Sequence, residues 1–190
     1  MWNTVGVSRS RRSFVASLPP LLLGGLAVPC AAECLRGQEK PGFWAAYSRE
    51  EQRAVGASVM AQDITNFIGH GFGCAECALG VGLNYLGEPR EKLAAAAVFS
   101  GGFSQGDLCG FLTGSMMSIG IAAGKLHSDR GAMREWARPR SQAYWEWWVS
   151  RGPLHCSDLR QQYQGSEEFL RMGQRAVVKL EELIAPARSA

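Results

Sequence analysis

The stretch Gly73-Cys74-Ala75-Glu76-Cys77-Ala78 sets two thiols three residues apart, and Cys109 and Cys156 follow further along a chain that holds 6 cysteines in all. Sulfur in this number can do three things. Paired thiols cycle between dithiol and disulfide, four thiolates ligate tetrahedral zinc or an iron–sulfur cluster, and single thiols pack as small apolar groups. A C-x2-C pair followed by two lone cysteines is wider than the tight pairs of zinc ribbons and ferredoxins. Ala78 stands where haem attachment needs His, and no strand pattern precedes the pair as a thioredoxin-like motif requires. Switch, metal site and inert core thiols all remain compatible with the spacing. His70 and His155 flank the cysteines and read as donors behind the ligands or as surface groups, with replacement of a sulfur, as in Rieske centres, the alternative. His127 follows a helix end and reads as a C-terminal charge, and Glu76 is expected to face solvent. No Ser/His/Asp arrangement, carboxylate pair or phosphate loop stands out, so no substrate is named.

Several helices must position these thiols. Ser48-Arg49-Glu50-Glu51 is a capping box, and a single helix is expected from it to about Ile68, ended by the glycines of "GHGFG". Residues 74 to 86 carry helical spacing and stop at Gly87, with Pro89 beyond. On that helix Cys74 and Cys77 lie one turn apart on one face. An Ala-rich helical stretch at 90 to 98 leads into a Gly-rich loop. Asp107 is placed to cap the next helix, which bears Cys109 at its start and runs to about Leu126. There Gly110, Gly114, Ser118 and Ala122 recur every four residues, a smooth stripe for close approach of another helix. The apolar run from Phe111 to Gly124 is shorter than the roughly 20 residues a membrane span needs. Pro139 suits a helix start, with Trp136 in the lead-in and Tyr144, Trp147 and Trp148 on one side. These aromatics read as core, a partner surface being the alternative. A short helical turn begins at Cys156, and residues 166 to 185 form a last amphipathic helix. Cys74, Cys77, Cys109 and Cys156 thus fall at three helix starts, where unpaired N–H groups favour a thiolate. The fold class expected is all-α, a compact single-domain bundle of about five to six helices.

The two ends differ in kind. Residues 1–32 run from a basic segment through a short apolar one to small residues, the order of a secretory leader. Within it Ser10-Arg11-Arg12-Ser13-Phe14-Val15 resembles the twin-arginine consensus, with Ala16 where Lys often closes it. Cleavage is expected after Ala32, leaving an irregular lead-in at 33–47 and a helical cysteine-containing domain at 48–190, periplasmic or otherwise exported. The chain is formally +3, and the leader removes Arg9, Arg11 and Arg12 with no acid, so the mature balance is neutral and nucleic-acid binding has no electrostatic case. Cys30 leaves with the leader. The odd set Cys34, Cys74, Cys77, Cys109 and Cys156 argues against a purely structural disulfide framework.

From about 54 to 185 the chain resembles the C_GCAxxG_C_C family of small redox-associated proteins. "GFGCAECALGVGLNYLG" is similar to the family's Cys-Ala pair opening an apolar helix. "FSGGFSQGDLCGFLTGSMMSIGI" keeps the central Cys109, Gly110 and Gly114, and "GPLHCSDLR" matches the later Cys with its Asp-Leu helix. Phe111 replaces the Ala of the central motif. The family's fourth Cys, expected near Gln164 to Glu167, is missing, and Cys77 is an added thiol that could stand in for it. A related domain in split-Soret cytochromes is associated with an iron–sulfur cluster. The resemblance therefore implies an iron–sulfur cluster held by Cys74, Cys77, Cys109 and Cys156, zinc remaining an alternative, with Cys34 spare. It also implies electron transfer or redox sensing with a redox protein partner, the oligomeric state being open, while the charge balance and the short apolar run lead to no nucleic acid and no membrane-spanning helix in the mature chain. The other readings are a thiol–disulfide protein using Cys74 and Cys77, and a non-catalytic subunit of a redox complex docking through the Trp-rich segment 136 to 148.

Overall fold

The structure, a computed structural model, describes residues 42–163 and 165–190. The expected leader at 1–32, Cys34, most of the expected lead-in and Gln164 lie outside the described residues. Helix starts follow their capping chemistry. Ser48 Oγ accepts from Glu51 N while Glu51 Oε2 accepts from Ser48 N at 3.0 Å, which opens α1 (Arg49–Ala57). The single helix expected to Ile68 is two, because Ser58 turns extended and its hydroxyl caps α2 (Val59–Gly69) through Ala61 N. The break is fixed from outside: Glu181 takes the Ser58 hydroxyl and Met60 N.

α3 (Cys74–Leu86) starts at Gly73 and ends at Gly87 in the left-handed conformation, as its stop signal predicts. Two short turns, Arg90–Ala96 and Gly102–Gly106, connect it to α4 (Gly110–Leu126). α3 and α4 pack tightly against each other, and the smooth stripe is the reason. A methyl group added at Gly114 would lie 2.4 Å from the Ala75 carbonyl, and one added at Gly82 would lie 2.2 Å from Ser118 Oγ. Backbones this close exclude larger side chains.

α5 (Arg130–Val149) begins nine residues before Pro139, which lies inside it; Asp129 Oδ1 accepts from Ala132 N and supplies the cap. Trp136 is accordingly helical, with the Arg140 guanidinium stacked 3.8 Å from its ring centroid. A short α6 (Cys156–Arg160) and the long α7 (Ser166–Ile184) complete the chain. Among the described residues there are seven α-helices and no strand, so the all-α class holds with slightly more helices than expected. None of these helices is long and apolar enough to cross a membrane.

Tyr144 and Trp148 are fully buried, and Trp148 Nε1 donates to the Pro153 carbonyl at 2.9 Å. Tyr144 hydrogen-bonds Ser115 Oγ and the Ala176 carbonyl, while Phe43 packs on both Trp147 and Trp148. The aromatic side of the Trp-rich segment is therefore chiefly core, with Trp145 exposed. Arg175 of α7, only 4 % exposed, ties the entry of the described chain to the bundle. It donates to the carbonyls of Phe43 and Ala46 and pairs with Glu51 at 3.0 Å, and Arg151 of the α5–α6 connection reaches the same carboxylate at 2.8 Å.

Candidate functional site

Three of the four cysteines meet at one cavity of about 220 Å³: Cys74 at the first position of α3, Cys109 at the N-cap of α4 and Cys156 at the first position of α6. Backbone pairing brings the last two together across a long stretch of sequence. Leu108 and His155 form an antiparallel bridge, Cys109 N donates to the Leu154 carbonyl at 2.9 Å, and Cys156 N donates to the Asp107 carbonyl at 2.7 Å. Asp107, expected to cap α4, instead joins this staple and pairs its carboxylate with His155 Nδ1 at 3.0 Å. Cys109 itself occupies the cap position. Cys74 is set against the start of α4: a methyl group at Gly110 would lie 2.3 Å from its Sγ and 2.7 Å from Ala75 N. The glycine stripe and the sulfur site are one construction.

Cys77 is placed differently. Its side chain is fully buried in the apolar core and is not part of the cavity wall, and its Sγ donates to the Phe72 carbonyl at 3.3 Å. Burial, with the Cys74 sulfur and Glu76 nearby, pushes its thiol up to about 12. A thiolate there is strongly disfavoured. Glu76 folds back to accept from Gly73 N at 2.9 Å and so caps α3 where a solvent-facing role was expected.

Burial also raises the Cys109 thiol, opposed by the N–H groups of Phe111 and Leu112, and raises Cys156, opposed by the Arg160 guanidinium. The cavity is completed by groups that the cysteine pattern does not reveal. Arg160, Tyr163, Ser100 and Gly101 line it, over an apolar side that includes Phe72, Leu159, Phe169 and Met172. Ser100 Oγ accepts from Ala75 N at 3.4 Å, next to Cys74. Arg160 was legible in principle, lying four residues after Cys156 in "CSDLR", one helical turn on. Ser100 and Gly101 were not, because the segment that carries them takes an unusual path. Gly101, Gly102, Phe103 and Ser104 have φ of 67°, 64°, 56° and 58°, a left-handed turn that is strained at its two non-glycine residues. A methyl group at Gly102 would meet the Asp107 carbonyl oxygen at 2.3 Å, so only glycine fits there.

His70 and His155 are both exposed and lie outside the cavity wall. His70 Nδ1 lies 2.7 Å from the Asn66 carbonyl, and the ring faces a neighbouring hollow with Asp63 and Arg90. His127 ends α4 with its Nε2 buried. Among the described residues no three His, Cys, Asp or Glu are arranged to hold a metal ion. What the site offers is three sulfurs from three elements around a space larger than one ion needs.

A family model described as "Putative redox-active protein (C_GCAxxG_C_C)" matches residues 72–182, from the residue before Gly73 to the last turn of α7. No curated protein and no solved structure matches the chain.

Proposed function

The chain belongs to the C_GCAxxG_C_C family of redox-active proteins, and on that premise we propose that the sulfur-lined cavity is an iron–sulfur site that serves electron transfer or redox sensing. One observation carries this reading: Cys74, Cys109 and Cys156, from three separate helix starts, line a single cavity of about 220 Å³. The donor chemistry fits an iron–sulfur group, which takes cysteine thiolates as ligands. The fit is through three sulfurs, since Cys77 packs away from the cavity and the position from 164 to 167 holds no cysteine. A cluster bound there would supply one-electron chemistry between two charge states. The chain's own part is to hold the sulfurs, present the N–H groups of Phe111 and Leu112 to Cys109, and shield the group behind Leu159, Phe169 and Met172.

Export by the twin-arginine route is part of the same proposal. That route carries folded proteins, so a site assembled from α3, α4 and α6 would be complete before passage. A redox protein on the far side of the membrane is the partner that follows.

The test is anaerobic reconstitution of the mature protein with iron and sulfide, read by visible absorption, EPR and metal counts. Dithionite-bleachable bands with stoichiometric iron and sulfide are expected, lost in Cys74→Ser, Cys109→Ser and Cys156→Ser and retained in Cys77→Ser. A colourless, iron-free protein that is otherwise folded would overturn the reading.

A further inference from the structure

We propose that Arg160 is the counter-charge of the sulfur centre, a positioning residue whose guanidinium favours whichever state of the cavity's sulfur group carries more negative charge. The inference rests on reading the cavity as a sulfur centre, and it holds for a cluster or for bare thiolates alike.

Placement is the first support. Arg160 lines the same cavity as Cys74, Cys109 and Cys156, and no Asp, Glu, Lys or His shares that lining among the described residues. It stands one helical turn after Cys156 on α6, and its guanidinium works against the burial that raises the Cys156 thiol. Its other flank is fixed by the left-handed turn, since the guanidinium Nη2 lies 3.3 Å from the point where a methyl group at Gly101 would project. The absence of a side chain at Gly101 leaves the room that the guanidinium uses. The nearby acids are otherwise engaged: Asp107 pairs with His155, and Asp158 accepts from the Ser157 hydroxyl. Arg160 is also exposed, so it adds positive charge without being buried in the core.

The electrostatic consequence has a definite sign. A fixed positive charge lowers the energy of the more negative state, so a bound one-electron couple is held at a higher potential than the same sulfurs would give alone. Because the guanidinium is partly screened by solvent, the effect is expected to be about three- to tenfold in the ratio of reduced to oxidised protein at a set ambient potential, tenfold being 59 mV for a one-electron couple.

Two measurements on full-length mature protein test this. In reconstituted protein, Arg160→Gln is expected to lower the reduced-to-oxidised ratio by that factor with iron and sulfide counts unchanged, and Arg160→Lys to restore most of it. In metal-free protein the probe is alkylation of the cavity thiols by iodoacetate relative to iodoacetamide. Both reagents consume the thiolate, so their rate ratio cancels the thiolate fraction and reports the local charge alone. Arg160→Gln is expected to lower that ratio several-fold, with an unchanged thermal midpoint. Wild-type protein that takes up no iron, with an alkylation ratio that falls in Arg160→Gln, would remove the cluster and keep the counter-charge. A normal cluster whose potential is the same in Arg160→Gln would remove the counter-charge and keep the cluster. An unchanged alkylation ratio in protein that takes up no iron would overturn both.

Discussion

Cys74 and Cys77 are one turn apart on the same helix, yet only the first reaches the cavity. Helical spacing predicts a shared face; what separates the two thiols is packing, with α4 closing over Cys74 and the Phe72 carbonyl engaging Cys77. Native alkylation at about pH 8, mapped by mass spectrometry, should therefore label Cys74 well before Cys77, whose thiol stays protonated because its value is raised to about 12. Cys77→Ala should leave iron uptake intact and cost about 1–2 kcal/mol in urea unfolding, the usual consequence of removing a small buried group. Loss of the cluster in Cys77→Ala without unfolding would show that this sulfur swings to the cavity.

Helix α4 meets α3 through glycines, and the two helices together carry Cys74 and Cys109. Gly114→Ala would set a methyl group 2.4 Å from the Ala75 carbonyl and 3.1 Å from Leu79 N, neither of which can yield without moving α3. It should destabilise the fold by about 2–3 kcal/mol and reduce cluster loading, read by denaturation and iron content. Gly120→Ala on the same helix meets nothing within 4 Å and should stabilise by up to about 1 kcal/mol. This stripe was legible in the residues, as were the Ser48 box and the stop at Gly87, because caps and small-residue periods are local signals. The break at Ser58 was not, since Glu181 of α7 holds it from the far end of the chain. Pro139 misled for a related reason: its fixed φ suits a start, but Asp129 had already capped the helix that contains it. Nor could the residues 107–109 and 154–156 be seen to pair, although that pairing is what brings Cys109 to Cys156. Three cavity cysteines could be named from sequence; their common cavity depended on long-range contacts.

At the level of the whole molecule, Glu51 is the point where α1, α7 and the α5–α6 connection are tied. Hydrogen bonds from Arg175 lower its carboxyl from 4.5 to about 2, with Ser48 N and Arg151 adding to the effect against the cost of burial. A depressed carboxyl stabilises the folded state fully above the unfolded value and loses that contribution as pH falls. Acid unfolding should therefore steepen between about pH 4.5 and 2. Glu51→Gln should cost roughly 2 kcal/mol at neutral pH, after a discount for solvent screening, and flatten that dependence, as chemical denaturation at several pH values would show. The helix that carries Arg175 has a second consequence, in time. α7 contacts α1 to α5, and its Phe169 and Met172 help line the sulfur cavity. Because it is also the last of these seven helices to leave the ribosome, Cys74, Cys109 and Cys156 all emerge before the wall that encloses them. Closure of the site thus waits for α7, and a cell that loads it must keep those thiols reduced until Ile184 has emerged.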